Sequence, residues 1–317
     1  MIKVVSFFHP GREYPVNGAP HFPDTKVMPW NRKPYHRRKF LQADGEFVAP
    51  DGQGVSSSPL RFWGEWEPTS DMSRLVGKSP MCLHFPFLEK DALSKYSSEM
   101  GAAPQCGEGR ALGSSDGCEP NGCCNNTDPF VFADHFFYGA CQQYVKSGLT
   151  KELHSKLMQG LKPGSLILFG SRREREFVLD TVFVVEDSKK YKPVSMATDL
   201  KGFAPSIYPY IMQMNGELEF TCYRGANYQN PYHEMYSFVP CRQCNGSEDT
   251  GFERPILRES DFQSCSVKTI LPKPGKNQGF KSTDIDIPDA QEIWEAVRES
   301  VRRQGYLEGF NFKYSIK

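Results

Sequence analysis

Between Trp63 and Glu67 the chain places two of its four tryptophans and two glutamates, within the stretch RFWGEWEPTSDM (61–72). In an extended strand alternate residues share a face. Trp63, Glu65 and Glu67 then fall on one side, and Phe62, Gly64 and Trp66 on the other. An indole stacks on any base, and truncating such a ring typically costs about 1–3 kcal/mol per base. A neighbouring carboxylate accepts from an exocyclic amine or draws a cation over the ring. Gly64 allows a ligand close to the backbone. These are the parts of a pocket for a planar, amine-bearing ligand. The same residues equally suit a core strand, with both indoles buried and the glutamates paired to Arg61 or Arg74.

A second segment carries the opposite charge. NRKPYHRRKF (31–40) holds Arg32, Lys33, Arg37, Arg38 and Lys39, with Tyr35 and Phe40 interleaved. Such a run is either a solvated loop or a local patch for phosphate. The whole chain has 38 basic and 38 acidic residues. Zero net charge excludes a broad electrostatic grip on nucleic acid, so any such binding must be local. Arg37, Arg38 and Lys39 are the expected phosphate contacts, and Trp63, Glu65, Trp66 and Glu67 the expected base contacts.

The ten cysteines, in a chain whose first residues lack the pattern of an export signal, suggest thiols or metal ligands rather than disulfides. Cys241 and Cys244 form a C-x-x-C turn in VPCRQCNG, and Cys118, Cys123 and Cys124 cluster upstream. Cys118, Cys123, Cys241 and Cys244 can together supply a tetrahedral structural zinc site. Scattered reduced thiols are the alternative.

Enzymatic constellations are sparser. TDPFVFADHFFY sets Asp128, Asp134 and His135 close in sequence, and an Asp–His pair can shuttle protons. Neighbours on a strand point to opposite faces, however, so Asp134 and His135 make poor mutual partners. YRGANYQNPYHEMYSF contains Arg224, then His233 and Glu234, then Ser237. This stretch resembles the Arg and aromatic-Ser motifs of some ADP-ribosyltransferases. The resemblance implies that Arg224 grips the phosphates of NAD and Ser237 props the site. A metal-dependent or NAD-using transferase around Arg224, His233 and Glu234 is therefore the alternative function. No P-loop, G-x-G-x-x-G, G-x-S-x-G or H-E-x-x-H occurs.

The elements that must position these residues follow from pattern. At 317 residues, 38% hydrophobic and 24% charged, the chain suits one large globular domain, or two packed halves divided near residue 148. No apolar run approaches the roughly 20 residues that span a bilayer, so no membrane partner and a cytoplasmic location are expected. The opening residues predict a β-strand. Five prolines in residues 9–30 exclude helix there. GEFVAPDGQGVSSSPLRFWGEWEP predicts strand, Asp-Gly turn, strand. Residues 88–100 predict a helix, and 101–128 a Cys/Gly-rich insert. PFVFADHFFYGACQQYV predicts an aromatic strand. Residues 150–161 predict a short helix, with Leu153, Leu157 and Leu161 on one face. Residues 162–188 predict a hairpin of two apolar strands, and 288–305 a helix opened by Pro288 and Asp289 and closed by Gly305. A closing strand is expected in YLEGFNFKYSIK.

The order of elements argues for α+β with a largely antiparallel, barrel-like sheet and two or three helices. KPGSLILFG followed by FVLDTVFVVED resembles a segment of the PUA-like barrels (the PUA, ASCH, EVE and YTH group), over about 27 residues. Ser165 stands where an acidic residue is more usual. The resemblance implies a small barrel that reads RNA or modified DNA, often by taking a base into an aromatic cage. The expected function is accordingly recognition of nucleic acid, including modified bases, or of a nucleotide-like ligand.

Overall fold

The computed structural model describes residues 1–13, 37–49, 54–66, 83–84, 128–147, 151–154, 157–173, 176–206, 208–212, 216–243, 254–272, 279–313 and 315–316. Its strands are β1 (Ile2–Glu13), β2 (Arg37–Val48), β3 (Val55–Trp66), β4 (Leu83–His84), β5 (Phe137–Tyr138), β6 (Tyr144–Ser147), β7 (Lys151–His154), β8 (Leu166–Arg173), β9 (Glu176–Tyr191), β10 (Phe220–Gly225), β11 (Val239–Gln243), β12 (Ile256–Leu257), β13 (Gly279–Ile285), β14 (Leu307–Phe310) and β15 (Ser315–Ile316). Among the described residues the α-helices are two short ones, α1 (Met196–Asp199) and α2 (Tyr208–Met212), and the long α3 (Ile287–Arg303). The architecture is sheet-rich α+β. Among the described residues no helix is long and apolar enough to cross a membrane.

A seven-stranded sheet runs in the order β13-β1-β8-β9-β10-β5, with β12 added against β9. Every pairing in it is antiparallel except β1 with β8. Its centre is the β8–β9 hairpin expected from 162–188. Leu166, Ile167, Leu168 and Phe169 on one strand, and Val182, Phe183, Val184 and Val185 on the other, are all fully buried. Apolar runs buried on both faces need no polar alternation. The ladder slips between Phe169 and Gly170, where a Cβ on Gly170 would press into the carbonyl of Val178; glycine is what permits the bulge.

The second sheet is a ring of four strands. β2 and β3 form a twelve-pair hairpin. β3 pairs with β11, β11 with β14, and β14 returns to β2, each over three pairs. The strands that carry the PUA-like resemblance, β8 and β9, lie in the open seven-stranded sheet and not in this ring. Two small antiparallel pairs, β6–β7 and β4–β15, complete the strands among the described residues.

Helix α3 covers the core with Ala290, Ile293, Trp294, Ala296, Val297, Ser300 and Val301 buried. Asp286 caps it by accepting from the Asp289 N–H at 3.0 Å, and Gly305 ends it at φ +80°, a conformation glycine adopts freely. The Trp294 Nε1–H donates to the Tyr236 carbonyl at 3.0 Å, tying the helix to the chain that leads into β11.

Two expectations are corrected. Residues 150–161 are not a helix: Lys151–His154 is strand β7, paired residue for residue with Tyr144–Ser147. The adjoining strand outcompetes a leucine spacing that is helical on paper. The aromatic segment 129–145 is not one strand either. Phe130 and Phe137 exchange both main-chain hydrogen bonds, at 2.7 and 2.8 Å, so the chain folds back between them. Phe130, Phe132, Phe136 and Phe137 are all buried, a pattern without the period of two that an extended strand requires. The helix expected at 88–100 and the insert up to residue 127 lie outside the described residues.

Candidate functional site

The β2–β3 register brings together the two segments singled out by their charge and aromatic content. Arg37 stands opposite Trp66, Arg38 opposite Glu65, Lys39 opposite Gly64 and Phe40 opposite Trp63. Directly opposed residues of an antiparallel pair share a face. The inner face of the ring is fixed by Ala43, Leu60 and Phe62, at most 5% exposed, and the outer face by exposed Asp44 and Pro59. Counting by twos, positions 38, 40, 63 and 65 fall on the outer face, and 37, 39, 64 and 66 on the face continuous with the core. The last contact of β3 with the ring is the Phe62↔Cys241 pair. Among the described residues, positions 37–40 and 63–66 therefore pair only with each other, as a two-stranded ribbon about 10 Å long beyond the ring. Glu67 lies outside the described residues.

A second concentration of polar groups lies at the β9–β10 edge. Arg224 on β10 pairs with Asp187 on β9, but the next pair is Gly225 with Val185. Glu186 is thus the extra residue of a β-bulge, the device that re-aims a side chain. Its Oε2 accepts from Arg224 Nε at 3.0 Å and lies 3.3 Å from His135 Nδ1. Its Oε1 accepts from Asn230 Nδ2 at 3.0 Å. His135 Nδ1 also meets the Gly225 carbonyl at 2.9 Å. With two acceptors facing it, Nδ1 carries the proton. Nε2 is then the acceptor, and Asn227 Nδ2 donates to it at 3.2 Å. Asn227 is held in that sense because its Oδ1 accepts the Asn230 N–H at 2.7 Å. The Arg224 guanidinium lies over the Phe203 ring, 5.2 Å from its centroid. The result is an imidazole of fixed tautomer, backed by a carboxylate and an arginine, with side chains 16–27% exposed. Asp134 is no partner of that ring; its carboxylate accepts the main-chain N–H of His135.

Of the three catalytic candidates, Arg224 is in this cluster. His233 and Glu234 are exposed and occupy the two central positions of a tight turn closed by Tyr232 and Met235. Both have positive φ, +47° and +66°, as a type I′ turn demands. The His233 carbonyl accepts from Gln291 on α3. Among the described residues neither is hydrogen-bonded or ion-paired to Arg224. His135 and Glu186 are the members that spacing did not gather. The bulge that aims Glu186 leaves no mark in residue type.

The cysteines give no centre within the described residues. Cys241 is buried with its thiol directed at the Leu307 carbonyl, 3.7 Å away inside the ring. That inward placement does not favour it as an outward-facing ligand. Cys118, Cys123 and Cys244 lie outside the described residues. Among the described residues no three His, Cys, Asp or Glu side chains are grouped to hold a metal. Cys222 is buried and its thiol is pushed up, by burial and then by the charge of Asp128; it is a core group.

Comparison of the chain with protein families, with curated proteins and with solved structures finds no match.

Proposed function

We propose that the protein recognises nucleic acid through the β2–β3 ribbon. One observation carries this reading: the register sets the basic segment 37–40 directly across from the aromatic and acidic segment 63–66. A two-stranded ribbon is narrow enough to enter a major groove, and its rings equally offer a platform for unpaired bases. On the outer face, Trp63 and Phe40 supply stacking surfaces, Arg38 a phosphate contact and Glu65 an acceptor for an exocyclic amine. Arg37, Lys39 and Trp66 occupy register positions of the opposite face. The PUA-like resemblance of 162–188 supports the same ligand class, modified bases included, from a different part of the chain.

The test is fluorescence anisotropy with short DNA and RNA oligonucleotides, modified and unmodified. The native protein is expected to bind in a salt-sensitive manner. Trp63→Ala, with its thermal melt unchanged, is expected to weaken binding about tenfold, equivalent to the loss of one stacked base. Absence of binding to every oligonucleotide at low salt would end this reading.

A second reading, an NAD-using transferase, is favoured by a separate observation. Ser237 packs against Gly225, beside Arg224: a Cβ on that glycine would stand 2.6 Å from the Ser237 hydroxyl. The two parts of the ADP-ribosyltransferase resemblance are thus neighbours, with His135 and Glu186 next to them. On this reading the native protein releases nicotinamide from NAD, and Arg224→Lys lowers the rate at least about a hundredfold, as loss of a bidentate phosphate grip does. No nicotinamide from the native protein, measured by chromatography over hours, would dismiss it.

A further inference from the structure

His135 belongs to a chain of hydrogen bonds in which each donor and acceptor is assigned by a neighbour that can play one part only. Nδ1 faces the Gly225 carbonyl at 2.9 Å and Glu186 Oε2 at 3.3 Å, so it carries a proton in either charge state of the ring. On the other side the Asn230 main-chain N–H can only donate, and Asn227 Oδ1 accepts it at 2.7 Å. The carboxamide is thereby turned with Nδ2 toward His135 Nε2, 3.2 Å away. Among the described residues Asn227 is the hydrogen-bond partner of Nε2. That contact is a hydrogen bond only while Nε2 keeps its lone pair; a proton there sets donor against donor.

The charged groups around the ring are Glu186 and Asp187 on β9 and Arg224 on β10, ion-paired to those carboxylates at 3.0 and 3.5 Å. Exposed Asp134 accepts the main-chain N–H of His135. The loop 226–231 adds no charge and meets the ring through the Asn227 carboxamide. Histidine is the side chain whose charge ordinarily changes between about pH 5 and 8.

We infer that His135 and Asn227 form a proton-operated latch on the 226–231 loop, closed when the ring is neutral and released when Nε2 is protonated. To accept from an Nε2–H the carboxamide must turn over, and Oδ1 then leaves the Asn230 N–H. The other tie of Asn230, Nδ2 to Glu186 Oε1 at 3.0 Å, ends on the carboxylate that holds the far side of the imidazole. The loop carries Tyr228, stacked on Phe310 of β14 with ring centroids 5.0 Å apart. The latch therefore links the β9–β10 edge to the four-stranded ring. It stands apart from both functional readings and depends on neither.

The experiment is NMR of the isotope-labelled protein between pH 8 and 5, read at two places. The His135 ring C–H shifts follow its protonation, and the exchange of the Asn230 amide with water is compared at each pH with that of an unstructured peptide. The native protein is expected to lose about tenfold in Asn230 protection as the ring gains its proton, the measure of one hydrogen bond given up. In Asn227→Asp the carboxylate accepts from the Asn230 N–H and from an Nε2–H together. That variant should keep the amide protected throughout and hold its ring protonated to higher pH than the native protein. His135→Gln, with its thermal melt confirming the fold, should show protection that does not change with pH. An Asn230 amide equally protected on both sides of the ring's titration would overturn the latch, and so would a ring that keeps one charge state from pH 8 to 5. A loss in Asn227→Asp as large as the native one would show that the loop loosens for another reason.

Discussion

Replacing Asp128 by alanine will lower stability by about 4 kcal/mol, seen as a drop of roughly 10 °C in the thermal midpoint. Asp128 is fully buried. Its Oδ1 accepts the Gly139 N–H at 2.9 Å, and its Oδ2 accepts those of Ala140 and Cys141 at 3.0 and 2.7 Å. Alanine leaves one buried and two part-buried donors without their acceptor, each costing up to about 1–3 kcal/mol. Burial first, and then Asp128, pushes the phenol of Tyr138 well above its usual range, and burial does the same to Tyr191 and Tyr208 with Asp128 contributing. Asp128→Asn keeps the shape but turns one acceptor into a donor facing a donor, so about half of the loss should remain. Urea titration of both variants checks the account. An asparagine variant as stable as the native protein would show that the group is not held there as an anion. The same bonds fold residues 128–141 back so that His135 reaches Glu186, which makes loss of the imidazole's position a second consequence of the variant.

The other large effect is expected at Glu308, 1% exposed on β14. Its Oε2 accepts from Arg298 Nε at 2.9 Å and from the Tyr236 hydroxyl, and Arg302 Nε stands 2.5 Å from Oε1. The last contact is an ion pair without hydrogen-bond geometry, so Oε1 is held by charge and not by a directional bond. Glu308→Ala removes the shared anion and leaves two arginines, 13% and 29% exposed, facing each other. Breaking a buried pair this way costs about 3–5 kcal/mol. Replacing the whole group is a different matter. The stem and guanidinium of Arg298 pack on Trp294, 4.4 Å from the ring centroid, a place methionine fills well. The triple variant Glu308→Leu, Arg298→Met, Arg302→Met should recover most of the loss. A triple variant no more stable than Glu308→Ala would mean the site contributes by packing shape and not by charge balance. Because Glu308 pairs with Val48 and Pro240 across β14, the single variant should also loosen the ring from which the ribbon projects.

What the residues disclosed before the structure, and what they hid, divides along the range of the interactions. Helix α3 was legible because its signals are local: a proline and an acid at one end, a stripe of Ile293, Val297 and Val301, a glycine past the other. The β8–β9 hairpin was legible for the same reason, and Asp51-Gly52 marked the turn between β2 and β3. Residues 150–161 misled because Leu153, Leu157 and Leu161 obey a helical period while the partner that decides, Tyr144–Ser147, sits in the preceding segment. The site was partly legible. Arg224 and His135 drew attention by type, and the mismatch of Asp134 with His135 followed from strand geometry. Their meeting at Glu186 did not, because it joins distant parts of the chain through a bulge that no residue type announces.

The parallel pairing of β1 with β8, and its antiparallel pairing with β13, sets the order in which this molecule can come into being. Ile2 finds its partner at Ile285, so the first strand leaves the ribosome long before its outer neighbour exists. At about 5–20 residues per second the wait is on the order of 15–60 s. Throughout it Val4, Val5, Phe7 and Phe8, all buried in the finished protein, are without the partner on one edge. Ladders that close over so much chain are slow to form. The newborn polypeptide thus carries β1 with one edge unpaired until β13 is made, and a chain cut short before residue 279 would present β1 as a bare, apolar edge inviting another copy to pair with it.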